Sequence, residues 1–127
     1  MSTRNCCKFE VLKLLKATLG LCLTMCASAS LADDKALAEH NVDCSAYFFM
    51  AANVKGMSEF NFYYTAGEFG YNTAVRSVGE AIALERFNVA TAGINELIER
   101  NWLEFGKADD KYGVICADIL RDANKPD

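Results

Sequence analysis

The sequence predicts an all-α protein: a small up-and-down bundle of about four helices, with one disulfide linking the first and last helices and a signal peptide ahead of it. Three observations carry this. Beyond Asp43, apolar residues recur at steps of three and four, the helical period. No Asn-Gly hairpin signal occurs, and the single proline stands late, at position 126. Once the N-terminal leader is set aside, two cysteines remain, Cys44 and Cys116.

The leader comes first. Arg4, Lys8, Lys13 and Lys16 make a basic n-region despite Glu10, and the stretch from Ala17 to Cys26 is mostly apolar and uncharged. The small residues Ala27, Ser28, Ala29 and Ser30, then Leu31 and Ala32, suit signal peptidase, so we expect residues 1–32 to be removed after Ala32, with Ala29 as the alternative. The apolar run falls short of the roughly 20 residues of a membrane span. Cleavage is therefore favoured over a retained anchor, and no stable membrane insertion is expected afterwards. Cys22 and Cys26 follow Leu21 and Met25, whereas lipid attachment normally has a small residue just before the cysteine.

The expected mature chain, residues 33–127, has the length of one domain. The leader takes four of the 13 basic residues and one of the 17 acidic ones, leaving 9 and 16 and a net charge of −7. Such a surface argues against nucleic acid, which is bound by neutralising phosphates with Lys and Arg, and against anionic membrane surfaces. An even cysteine pair in a small exported domain reads as a disulfide.

Residues 33–42 are largely polar and are expected to form a lead-in, frayed or at most a weak first turn. The helical domain then occupies 43–127. Asp43 is placed to cap a first helix that runs to Lys55 with Cys44, Tyr47, Phe48, Ala51 and Val54 on one stripe, and Gly56 supplies a stop. Ser58 followed by Glu59 opens a second helix, whose stripe is Phe60, Tyr64, Gly67, Tyr71, Val75 and Val78. Gly67 and Gly70 weaken it, and their spacing either lets a neighbouring helix approach closely or marks a bend; Gly79 ends or kinks it. Ala83, Phe87, Ala90, Ile94, Leu97 or Ile98, Trp102 and Phe105 extend a third helix almost to Gly106, with any break expected between Asn88 and Gly93. A fourth starts near Asp109 and Asp110 and carries Tyr112, Ile115, Cys116, Ile119 and Ala123 on its stripe.

No catalytic set, metal site or cofactor is expected. Cys-x-x-Cys-His is missing, so covalent haem is excluded, and His40 with Met50 or Met57 is a weak basis for axial ligation. One histidine cannot build the paired Glu-x-x-His of a di-iron bundle or, with both cysteines in a disulfide, a zinc site. Asp109, Asp110 and Asp118 lack the ligand spacing of a calcium loop. The acidic pairs Glu96 with Glu99 and Glu80 with Glu85 are the kind that an acidic surface produces by chance, without an apolar setting that would raise one pKa. No serine stands in a positional relation to His40 that suggests a triad.

What remains is a surplus of rings. Phe60, Phe62, Tyr63, Tyr64, Phe69 and Tyr71 are more aromatic side chains than one face of a helix can bury, and Phe and Tyr are favoured at interfaces. These six are the candidate partner-binding residues. The function expected from them is a non-enzymatic accessory or binding protein of the cell envelope, periplasmic or secreted, whose partner is another envelope or secreted protein, with the acidic surface favouring a basic one. Two alternatives are an acid-stress chaperone, suggested by the carboxylate excess, and a small-ligand carrier or enzyme with a groove between helices.

Overall fold

The computed structural model describes residues 19–126, and their side chains from residue 31 onward. The basic n-region lies outside these residues. The chain divides into two compact units, Met1–Ala32 and Asp33–Asp127. The described residues are all helical apart from turns: α1 (Leu19–Lys55), α2 (Met57–Val78), α3 (Glu80–Leu97), a short 3-10 helix at Trp102–Glu104, α4 (Gly106–Ile115) and α5 (Ala117–Ala123). The all-α class holds, with five α-helices where four were expected.

Within the second unit α1 is the axis of the fold. Cys44 to Phe48 and Met50 to Ala52 are all buried, leaving that stretch no face open to solvent beyond part of Phe49. A helix buried all round must be apolar or small all round, and this one is, except for Ser45, whose hydroxyl donates to the carbonyl of Gly67 in α2 at 2.7 Å. The other helices each touch α1: α3 through Phe87 and Arg86, α4 through Asp109 and Tyr112, and α5 through Asp118. Cys44 and Cys116 are joined with Cα atoms 5.5 Å apart, tying α1 to the junction of α4 and α5.

The polar lead-in needs correction. Residues 33–42 belong to α1, and Ala38 and Val42 are buried against Ala74 of α2 and Ala83 of α3. Composition concealed this because the contacts are made by small side chains. On α2, Ala66, Gly70 and Ala74 repeat at four-residue steps, and a Cβ on Gly70 would stand 2.8 Å from the carbonyl oxygen of Asn41. Of the two roles expected for Gly67 and Gly70, close approach is the one found. Asp43 is not a cap; it sits in the middle of α1, where both carboxylate oxygens accept from Arg86, at 2.8 and 2.7 Å.

The boundaries of α2 follow its glycines. Gly56 (φ 93°) and Gly79 (φ 86°) take the left-handed backbone that reverses the chain in one residue, and Ser58 makes no cap. The long third helix is also corrected. It runs unbroken through Asn88–Gly93 and ends at Leu97; Glu99 and Arg100 then adopt positive φ (54° and 56°), and Asn101 caps the 3-10 turn by accepting from the amide of Leu103. The apolar spacing of Ile98, Trp102 and Phe105 is thus met by a turn. Cys116 bends the last helix in two, although the hydrogen bonds from its amide to Tyr112 and from Leu120 back to it continue through the bend.

Candidate functional site

The six aromatic residues proposed from sequence do not form one face. On a 3.6-residue helix, Phe60, Tyr64 and Tyr71 fall on one shoulder and Phe62 and Phe69 on the other, while Tyr63 lies near the centre line with the buried Ala66, Gly67 and Gly70. The contacts follow this division. Tyr63 packs on Phe48 of α1, with Lys55 above its ring. Phe62 stands beside the end of α5, its carbonyl accepting from Asn124.

The first shoulder builds a cluster. Phe60 stacks on Tyr64 (centroids 5.4 Å apart), Tyr64 meets Phe49 edge-on (5.1 Å), Phe49 meets Phe87 of α3 (5.9 Å), and Phe87 meets Tyr71 (5.7 Å). All four separations lie in the range of favourable ring pairs. Five rings from three helices therefore form a continuous row along the seam between α2 and α3. Phe49 and Phe87 complete it and were not among the residues singled out. Their signal was the pair Phe48-Phe49: neighbours on a helix point about 100° apart, so Phe48 in the core sends Phe49 to its margin.

The row is half open. Phe60 and Tyr64 are 37 % and 39 % exposed, and Phe49, Tyr71 and Phe87 are half-buried; on the other shoulder Phe62 and Phe69 are 44 % and 40 % exposed. Two concavities lie elsewhere. One, of about 50 Å³, lies among Ala38, Val42, Val78 and Ala83, well below the roughly 300 Å³ at which small-molecule sites begin. The other is an open hollow beside Asn95, Glu96, Arg100 and Trp102.

A second polar arrangement joins α1 to α4. Asp109 accepts from the Tyr47 hydroxyl at 2.7 Å on one oxygen and from Lys55 on the other. Burial, then the bond to Asp109, pushes the Tyr47 hydroxyl well above the usual tyrosine range, and the same carboxylate raises Lys55. With its tyrosine held protonated and its carboxylate taken up on both oxygens, this is a structural tie.

The remaining candidates are placed as follows. His40 lies 3.9 Å from the sulfur of Cys44 and 3.7 Å from Asp118. Met50 is buried and Met57 almost fully exposed. Glu99 is bound by Lys107, which holds its carboxyl below the usual range. Glu80, Glu85 and Glu96 are exposed. Among the described residues, no three His, Cys, Asp or Glu side chains come together as a metal site would require, and no helix is long and apolar enough to cross a membrane.

No protein-family model matches the chain, and comparison with curated proteins and with solved structures returns no match.

Proposed function

We propose that the protein is an exported, non-enzymatic accessory of the cell envelope that binds another protein through the aromatic surface of α2. The observation that carries this reading is the exposure of four rings, Phe60, Phe62, Tyr64 and Phe69, on one 22-residue helix of a small domain. Partly exposed Phe and Tyr rings, here one pair on each shoulder of α2, are side chains that protein interfaces favour. Export is supported by the basic n-region, by a disulfide that stabilises a small fold in an oxidising compartment, and by the exposure of residues 31–37 around the expected cleavage site.

Photo-cross-linking from α2 in intact cells tests the binding. Partners captured by the native sequence should disappear in Phe60→Ala/Tyr64→Ala, in Phe62→Ala/Phe69→Ala, or in both. If neither double variant changes the captured set, this surface is not a protein contact. Fractionation should recover a chain beginning at Asp33 outside the cytoplasm; a full-length cytoplasmic product would overturn the export part.

A further inference from the structure

The two aromatic shoulders of α2 differ in charge. Glu68 stands four residues after Tyr64 and three before Tyr71, so it shares the side of the five-ring row. Of the other carboxylates of the two helices, Glu80 stands seven residues before Phe87 and shares its side, whereas Glu59 lies about 100° round α2 from Phe60, and Glu85 and Glu96 about 160–180° round α3 from Phe87. All five are exposed, and among the described residues none of them enters an ion pair. These helices carry two cations. Arg86 is held by Asp43, and Arg76 lies seven residues beyond Phe69, on the opposite shoulder, bonded to Thr73.

The rings repeat the pattern. Lys55 stands over Tyr63 and Lys111 over Tyr112, at 5.9 and 4.9 Å from the ring centroids. Among the described residues no cation lies over Phe49, Phe60, Tyr64, Tyr71 or Phe87. A half-open row of π faces with Glu68 and Glu80 on its side attracts positive charge and apolar surface together. Its length, eleven residue steps of helix from Phe60 to Tyr71, is about 16 Å, or three helical turns.

We infer that the seam between α2 and α3 is the docking surface, and that its occupant is a cationic amphipathic segment of another protein, its apolar side chains on the ring row and its Lys or Arg residues against Glu68 and Glu80. This rests on the protein-binding reading above and chooses one of its two shoulders. The recognition is that of an amphipathic helix laid along an apolar seam, with charge setting the orientation and the rate of association.

The test uses the purified protein and a dye-labelled, three-turn helical peptide of alternating Lys and Leu faces, followed by fluorescence anisotropy. Saturable binding is expected, weakened about tenfold or more by Phe60→Ala/Tyr64→Ala, since truncating central aromatic contacts costs at least that much. Glu68→Lys, which leaves the rings in place, should weaken it severalfold, and added salt should reduce the native affinity. Leu103→Ala, at an exposed apolar residue elsewhere, should leave it unchanged.

No binding of the cationic peptide, equal binding of its Glu-for-Lys counterpart, or full affinity in the Phe60/Tyr64 variant would each overturn the inference. So would adsorption to zwitterionic vesicles that the same variant abolishes, which would make the row a lipid contact. The two readings fail separately. A cationic peptide that does not bind, together with cross-links lost only in Phe62→Ala/Phe69→Ala, removes this docking surface and leaves the binding function; cross-links unchanged in both double variants remove the function as well.

Discussion

Tyr47 donates its hydroxyl to Asp109 at 2.7 Å, joining the buried axis helix to α4 across 62 residues of chain. Because Tyr47 is buried, the bond is worth more when broken from one side than from both. Tyr47→Phe should cost about 1 kcal/mol, the net worth of one hydrogen bond, whereas Asp109→Ala leaves a buried hydroxyl and Lys55 without their acceptor and should cost about 2–3 kcal/mol. Urea unfolding of the two variants checks the order; an Asp109→Ala variant as stable as Tyr47→Phe would show that the tie carries no strain of desolvation.

The same pair sets an alkaline limit. The fold raises the pKa of Tyr47, by burial and by its bond to Asp109, and that of Lys55, by its bond to Asp109. Both groups therefore keep protons that the unfolded chain releases above about pH 10. Their contribution is complete below that pH and is lost as pH rises through the folded values. The expected slope is a fall of about 1.4 kcal/mol per pH unit for each proton retained. Tyr47→Phe should flatten it, and an unchanged slope between about pH 10 and 11 would assign the loss to other groups.

Gly67 and Gly70 separate propensity from packing. Alanine gains about 1 kcal/mol over glycine inside a helix. At Gly70 the new methyl meets the backbone oxygen of Asn41 at 2.8 Å, which cannot move without displacing α1. Gly70→Ala should therefore be destabilising by about 1–2 kcal/mol net. At Gly67 the neighbour is the half-buried ring of Phe49 at 3.1 Å, which can pivot outward, and Gly67→Ala should be near neutral. Equal effects in thermal unfolding would mean that close helix approach is not what the two glycines provide.

These glycines also mark what was legible in the sequence. The period of three and four, the stops at Gly56 and Gly79 and the pairing of Cys44 with Cys116 are local or arithmetic signals, and they gave the class and the closure. The burial of residues 33–42 does not show in the sequence because Ala38 and Val42 bury little area each and their partners, Ala74 and Ala83, are small as well. The turn at Glu99 and Arg100 does not show in the sequence because two residues of high helix propensity occupy a left-handed backbone there; Asn101, a capping residue, is its one local signal. The aromatic site was half legible. The ring count identified α2, but the division into Phe60, Tyr64 and Tyr71 against Phe62 and Phe69 needs the helical angle, and the role of Phe87 needs the partner helix.

The left-handed turn offers a stabilising change. Glu99 and Arg100 have φ of 54° and 56°, a conformation that costs a side-chain-bearing residue roughly 1 kcal/mol relative to glycine. Glu99 is bound by Lys107, whereas Arg100 has no ion-pair partner among the described residues. Arg100→Gly should accordingly raise stability by about 0.5–1 kcal/mol after the greater freedom of the unfolded glycine is subtracted. A lower unfolding midpoint would indicate that the Arg100 side chain makes a contact worth more than its backbone strain.

The disulfide closes the longest covalent loop of the domain. Cys44 and Cys116 are fully buried and close a separation of 72 residues, for which the chain-entropy model gives about 4 kcal/mol. Because α1 is enclosed by the helices after it, an unlinked chain must order α4 and α5 around the axis without the clamp, and the loss should appear as global rather than local unfolding. For a domain of this size it corresponds to a fall of about 15–30 °C in Tm. Cys44→Ala/Cys116→Ala should show the drop without reductant, with α2 and α3 unfolding in the same transition as α4. An unchanged midpoint, or selective loss of α4 and α5 by hydrogen exchange with α1–α3 still protected, would show that the axis and its first two neighbours hold together without the bond.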